Sequence, residues 1–412
     1  MTPEAPSVSA ALHRMRRRVL VLALPFGFWL LPGCLSLHRE PPRPGLTEVG
    51  SKPAAVPAHL IGNALVVETK WDSYGPYRFL IDTGSSSTLL TPELVRRYAA
   101  RDAPPPAIPE VPVRSASGAS KVLTAATVER LQLGAVRFER VPVLIYDCAD
   151  LSDQLGVKID GILGFPLFRE TILTLDYPHE RIVMESPSRA QPPLGDTMTF
   201  DNQNKAPFIW LGIGDRRFSA LIDSGSDGTL SVNEGPAGPR PKLAVGPTEG
   251  PTVGTLAGEY QTIVGRLAED VTLGSYVVPR PVVEIDENLP IIGGGILKQF
   301  TITFDPAHSR VTFYRDSVDP VSTPPLRSTG LSFRRTPAYW RVSGVIPGSS
   351  ADGANVQLGD LVTRVNGEPV SKWDLRRYNE LVANGAAVDY TFLENGKAES
   401  SPKRLKVVDL VP

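Results

Sequence analysis

The chain has 412 residues, long enough for two or three domains of ordinary size. Its 43 Lys plus Arg against 44 Asp plus Glu leave no global field to hold a nucleic acid, and none is expected as a partner. Forty Pro and 36 Gly, scattered without a period, suit a β-rich chain with many turns and argue against a collagen or a helical bundle.

The first predicted element is a leader over residues 1–34. Arg16, Arg17 and Arg18 precede an apolar run over residues 19–31, which ends in Leu31-Pro32-Gly33-Cys34. That is a signal-peptide layout, and the run is short for a permanent span and contains Pro25 and Gly27. The ending resembles the bacterial lipobox, although Pro32 stands where a small residue is usual. The resemblance implies lipidation of Cys34 and a lipid-anchored protein of the bacterial cell envelope, held to a membrane by its N-terminus; a secreted protein is the alternative. Residues 35–57, rich in Pro and polar residues, read as an extended tether.

Two blocks follow, residues 58–186 and 196–315, separated by the Pro-rich SPSRAQPPLG. They repeat each other. YRFLIDTGSSSTLL around Asp82 returns as FSALIDSGSDGTLS around Asp223, and ILGFPLFRETILTLDYPHERIVM aligns without a gap to IIGGGILKQFTITFDPAHSRVTF at a constant offset of 129. Between these landmarks, Gly118 and Gly134 are separated by the same sixteen positions as Gly258 and Gly274. Such repetition implies two copies of one unit that bury a shared seam. Each copy opens with two alternating apolar runs around a Gly-containing turn, a hairpin signal.

An Asp at the same place in each of two facing copies supplies a specific chemistry. Two carboxylates about 3 Å apart cannot both ionise, so one serves as base and the other as acid around an activated water. Gly84 and Gly225 let backbone pass close to the carboxylates, while Thr83 and Ser224 offer hydroxyls to lock the loops. Asp-Thr-Gly-Ser and Asp-Ser-Gly-Ser, each with a downstream Ile162-Leu163-Gly164 or Ile291-Ile292-Gly293, resemble the aspartic peptidases, specifically retropepsin-like lobes fused in one chain. The resemblance spans residues 58–315 and implies catalytic Asp82 and Asp223, supported by Thr83, Gly84, Ser85, Ser224, Gly225 and Ser226. It crosses residues 79–90 with 160–165, and 220–231 with 289–294, in a ψ-shaped arrangement. Its flaps fall on residues 115–121, with Ser117, Gly118 and Ala119 at the tip, and on residues 255–261 around Gly258. The implied partner is an extended polypeptide substrate, with preference set by apolar pockets.

Other candidates in these blocks have plainer readings. Cys148 has no partner once Cys34 carries lipid and reads as a small buried hydrophobe. His179 and His308 recur in LDYPHER and FDPAHSR, where they build equivalent turns. Gly293-Gly294-Gly295 lacks the Lys-Ser/Thr of a phosphate loop and reads as a close-packing element. Asp227, in place of Ser86, is expected to face solvent. With no His/Cys/Asp cluster at ligand spacing, no metal or cofactor is expected.

After a connector over residues 316–328, the texture changes again. Gly330-Leu331-Ser332-Phe333, Leu358-Gly359-Asp360-Leu361-Val362 and Val365-Asn366-Gly367 closely resemble a bacterial PDZ domain over residues 329–410. A helix over 372–383 presents Leu375, Tyr378 and Val382 on one face. The resemblance implies a groove between residues 331–335 and that helix, taking a peptide or C-terminal segment as an added strand. The fold class expected is mainly β: two pseudo-twofold-related retropepsin-like barrel lobes, then a small α+β PDZ domain. The activity expected is an aspartic endopeptidase whose PDZ domain recruits or gates substrates. The alternative is an inactive peptide-binding scaffold lipoprotein that uses the cleft and the groove.

Overall fold

The computed structural model describes residues 43–100, 102, 109–115, 118–201, 206–233, 241–286, 288–394 and 398–412; Cys34 and Ser117 lie outside the described residues. The fold is mainly β. Strand Tyr74–Asp82 pairs antiparallel with Ala64–Trp71 and parallel with Gly161–Gly164, which in turn pairs with Thr88–Leu90. These strands are apolar on both faces, as a doubly covered sheet requires. Val67, Phe79, Ile81 and Leu163 enter the main core, whereas Val66, Leu80, Leu89 and Ile162 enter a second cluster with Leu144, Tyr146 and Cys148. The parallel register sets Asp82 level with Gly164, at the end of its strand.

The second block uses the same pairings. Strand Arg216–Ile222 pairs antiparallel with Phe208–Ile213 and parallel with Ile291–Ile292, and Leu230 bridges Ile292. The blocks join in one sheet. Strand Ile172–Asp176 lies between Arg181–Glu185 and Thr301–Asp305, which pairs on with Arg310–Tyr314 and then Asp196–Thr199. Within it Thr174 stands opposite Thr303, its own counterpart in the repeat, and their hydroxyls hydrogen-bond at 3.0 Å. Beneath the sheet Phe165, Phe200 and Phe304 meet edge to face.

The segments read as tether and connector take part in the fold. Leu46–Glu48 pairs with Val136–Ile145, and strand Ala54–Ile61 begins before residue 58, on the edge of Arg181–Glu185. Val321 is buried, and Leu326–Ser328 pairs with the C-terminal strand Val408–Val411. Proline is tolerated here because edge strands need few of their N–H groups. In the third block, strands Leu331–Arg335, Trp340–Val345, Leu361–Val365 and Ala387–Glu394 form a sheet covered by helix Leu375–Asn384. That helix starts at 375 rather than 372, because Val370–Lys372 forms a 3-10 turn and the Asp374 carboxylate then caps Arg377 N at 2.8 Å.

Candidate active site

Buried runs Phe79-Leu80-Ile81 and Ala220-Leu221-Ile222 carry the two aspartates to the seam. There Thr83 and Ser224, 1% and 0% exposed, bind each other's loops. Thr83 Oγ1 donates to the Ile222 carbonyl at 2.7 Å and accepts from Ser224 N at 3.1 Å. Ser224 Oγ donates to the Ile81 carbonyl at 2.7 Å and accepts from Thr83 N at 3.0 Å. Four reciprocal bonds thus fix one aspartate relative to the other.

The glycines set the closeness of approach. A Cβ on Gly84 would stand 2.4 Å from Asp223 Cγ, and one on Gly225 would stand 2.6 Å from Asp82 Cγ, so no side chain fits at either position. The carboxyls lie within hydrogen-bond reach of each other. Burial raises Asp82 well above the usual carboxylate range, with the charge of Asp223 and the bond to it acting in the same direction. Asp223 is also raised by burial, against the N–H of Gly225, the bond from Asp82 and the N–H of Ser226. Each loop does supply a donor: Ser85 N to Asp82 Oδ1 and Gly225 N to Asp223 Oδ1, both at 2.9 Å. The pair therefore titrates as a unit that holds one proton between its two members. Ser226 closes its loop by accepting Gly294 N at 2.8 Å on its carbonyl, as the Ser85 carbonyl accepts Phe165 N at 3.1 Å.

Each block also carries a long hairpin. The first joins Glu110–Arg114 to Ser120–Leu133 through a turn in which Ser115 N donates to Ala119 O and Gly118 N to Ser115 O. Arg114 reaches Asn288 Oδ1 at 3.3 Å. The second joins Leu243–Thr255 to Gly258–Leu267, and Leu256 at its tip packs against the cluster of Leu144, Tyr146 and Cys148 in the first block.

Some of the remaining residues meet expectation and others do not. Asp227 is exposed to solvent, as expected, and is also held in place: its Oδ1 accepts Asn63 N at 2.7 Å and its carbonyl accepts Asn63 Nδ2 at 2.6 Å. The cavities beside the dyad are not purely apolar, since Glu284 and Asp286 line them. Cys148 is buried and its thiol is pushed up to about 12 by burial, which fits an inert packing role. His179 and His308 bond Asp176 and Asp305 through Nδ1 at 2.8 and 2.7 Å, building the two matching turns. Tyr177, which sequence reasoning passed over, is buried with its hydroxyl unpartnered among the described residues, and the charges of Asp223 and Asp82 reach it.

Residues expected to form the peptide groove of the third block make contacts of their own. Leu331 and Phe333 are buried, and the Tyr378 hydroxyl bonds Tyr390 at 2.7 Å inside the core. Gly330, at φ +94°, packs on Ser349, and Leu375 lies against the turn at Gly62. Ser332 Oγ accepts Thr252 N of the second hairpin at 3.0 Å. Arg334 pairs with Glu259 at 2.8 Å and with Asp150, and Arg335 donates to the Gln154 carbonyl at 2.9 Å while stacking over Trp340 and Tyr378. Strand Leu331–Arg335 thus docks on helix Ala149–Leu155 and the second hairpin.

A family model described as an aspartyl protease matches residues 67–167. That span contains Asp82, the first hairpin and Ile162-Leu163-Gly164, and defines an aspartic peptidase-like domain. No curated protein matches the chain.

Proposed function

We propose that the chain is an aspartic endopeptidase in which Asp82 and Asp223 share one proton across two fused lobes. The observation that carries the reading is the reciprocal locking of Thr83 and Ser224, which holds both carboxyls against each other's glycine. In the reaction, the ionised member takes a proton from a water lying between the carboxyls as that water attacks the peptide carbonyl. The protonated member gives its proton to the carbonyl oxygen, and the amine then leaves with a proton returned by the pair. Fixed donors on both loops keep the carboxylates oriented throughout.

The third block acts in this reading as a PDZ-type module that gates the cleft, supported by its contacts with the second hairpin and with helix Ala149–Leu155. The N-terminal pattern around Cys34 supports an envelope lipoprotein with polypeptide substrates. The deciding experiment is cleavage of casein from pH 3 to 8 by the chain, Asp82→Asn and Asp223→Asn. Activity in the parent and loss of at least ~1,000-fold in both variants is expected; comparable cleavage by either variant would sink the dyad.

A further inference from the structure

We propose that the cleft between the second hairpin and strand Val282–Asp286 is a subsite for a cationic side chain, lysine or arginine, with Glu284 as its counter-charge. The inference rests on the peptidase reading and names the class of polypeptide that the site takes.

The cleft encloses about 270 Å³ and is lined by Tyr260, Thr262, Ile263, Glu284, Asp286 and Asn288. A smaller cavity shares Tyr260, Glu284 and Asp286 and continues to Ser226, Gly228 and Gly293, which surround the Asp223 loop. A side chain seated in the cleft therefore belongs to a residue close to the reacting bond. Asn288, at the rim, also touches the first hairpin through Arg114.

Glu284 distinguishes this cleft from an ordinary polar surface. Its carboxylate has no hydrogen bond and no ion pair among the described residues, whereas Asp286 Oδ1 accepts both Asn288 N and Asn288 Nδ2 at 2.7 Å. Burial raises the Glu284 carboxyl to about 7, and the charges of Asp227 and Asp286 add to the effect. A half-buried carboxylate among like charges is costly to ionise, and an ammonium or guanidinium group removes that cost by pairing with it. Among the described residues no three His, Cys, Asp or Glu are grouped to hold a metal ion. One organic cation matches one unpartnered carboxylate.

The site is one-sided. Strand Thr88–Leu90 runs parallel to Val136–Ile145 with Leu90 opposite Ile145, and its counterpart Ser231–Asn233 sets Ser231 opposite Glu284. The sequences VPVLIYD and RPVVEID align the same way, with Ile145 at the place of Glu284. A substrate across the dyad thus meets a carboxylate on one side of the cut bond and an isoleucine on the other.

The test offers the full chain, at pH 7, internally quenched peptides with arginine, lysine, norleucine or glutamate placed at one position at a time. At one position arginine and lysine are expected to exceed norleucine in kcat/KM by about tenfold or more, with glutamate poorest. In Glu284→Gln, which keeps size and removes charge, the arginine-to-norleucine ratio falls to about one. No basic preference anywhere, or an unchanged ratio in the variant, overturns the subsite while leaving the peptidase reading intact. Should the parent cut nothing, binding of hydroxyethylene peptide analogues separates the two ideas. Arginine-dependent affinity lost in Glu284→Gln keeps the subsite and removes the peptidase reading; its absence removes both.

Discussion

A carboxyl that holds its proton more tightly in the fold than in the unfolded chain weakens the fold once pH rises past its ordinary value. Asp82 is such a group, raised well above 3.8 by burial and by Asp223. Its penalty is absent below about pH 4, where both states are protonated, and grows as pH climbs toward the raised folded value. Asp82→Asn, an isostere of the protonated acid, should therefore be more stable than the parent at pH 7, with the gain vanishing below pH 4. Urea titrations at the two pH values check this. Thr83→Val leaves the Ser224 N–H without its acceptor and should cost about 1–3 kcal/mol, measured the same way, whereas Thr83→Ser should cost little. The aspartates and hydroxyls were legible because Asp-Thr/Ser-Gly-Ser occurs twice in register. Tyr177 was not, since an unpartnered hydroxyl is a property of packing. Tyr177→Phe removes it and should be neutral or stabilising by up to about 1 kcal/mol.

At the scale of elements, turn chemistry and alternation located the hairpin that opens each copy, the repeat located both aspartate loops, and the family resemblance placed the two later hairpins. What escaped were the segments at the edges. Leu46–Glu48 and Leu326–Ser328 are short strands beside prolines, and their partners lie far along the chain, so local sequence holds no trace of the pairing. The docking of strand Leu331–Arg335 escaped for the same reason. Its ion pairs through Arg334 are partly exposed and contribute only about 0–1 kcal/mol each, yet they bear on a hairpin tip with few other anchors. Arg334→Glu should leave global stability almost unchanged and speed amide exchange across residues 252–261. Unchanged exchange there would mean that Leu256 and the Thr252–Ser332 bond hold the hairpin unaided.

The whole molecule is organised by its seam. The repeat announced that residues 174 and 303 are equivalent, but not that their strands pair; that follows from strand edges that must not stay open. A fragment of residues 43–190 leaves Ile172–Asp176 with a free edge whose natural partner is a copy of itself, Thr174 facing Thr174. Sedimentation should find it as a dimer, and a folded monomer would contradict the account of the seam. Joining both copies in one polypeptide has a further consequence, visible where Thr174 meets Thr303. A protein made of two identical subunits must accept every substitution twice, once on each side of its axis. Here each copy drifts alone, and equivalent positions hold different residues: leucine and serine at 90 and 231, isoleucine and glutamate at 145 and 284, tyrosine and proline at 177 and 306. Symmetry survives where the hydroxyls meet, and everywhere else selection is free to treat the two ends of a ligand as different things.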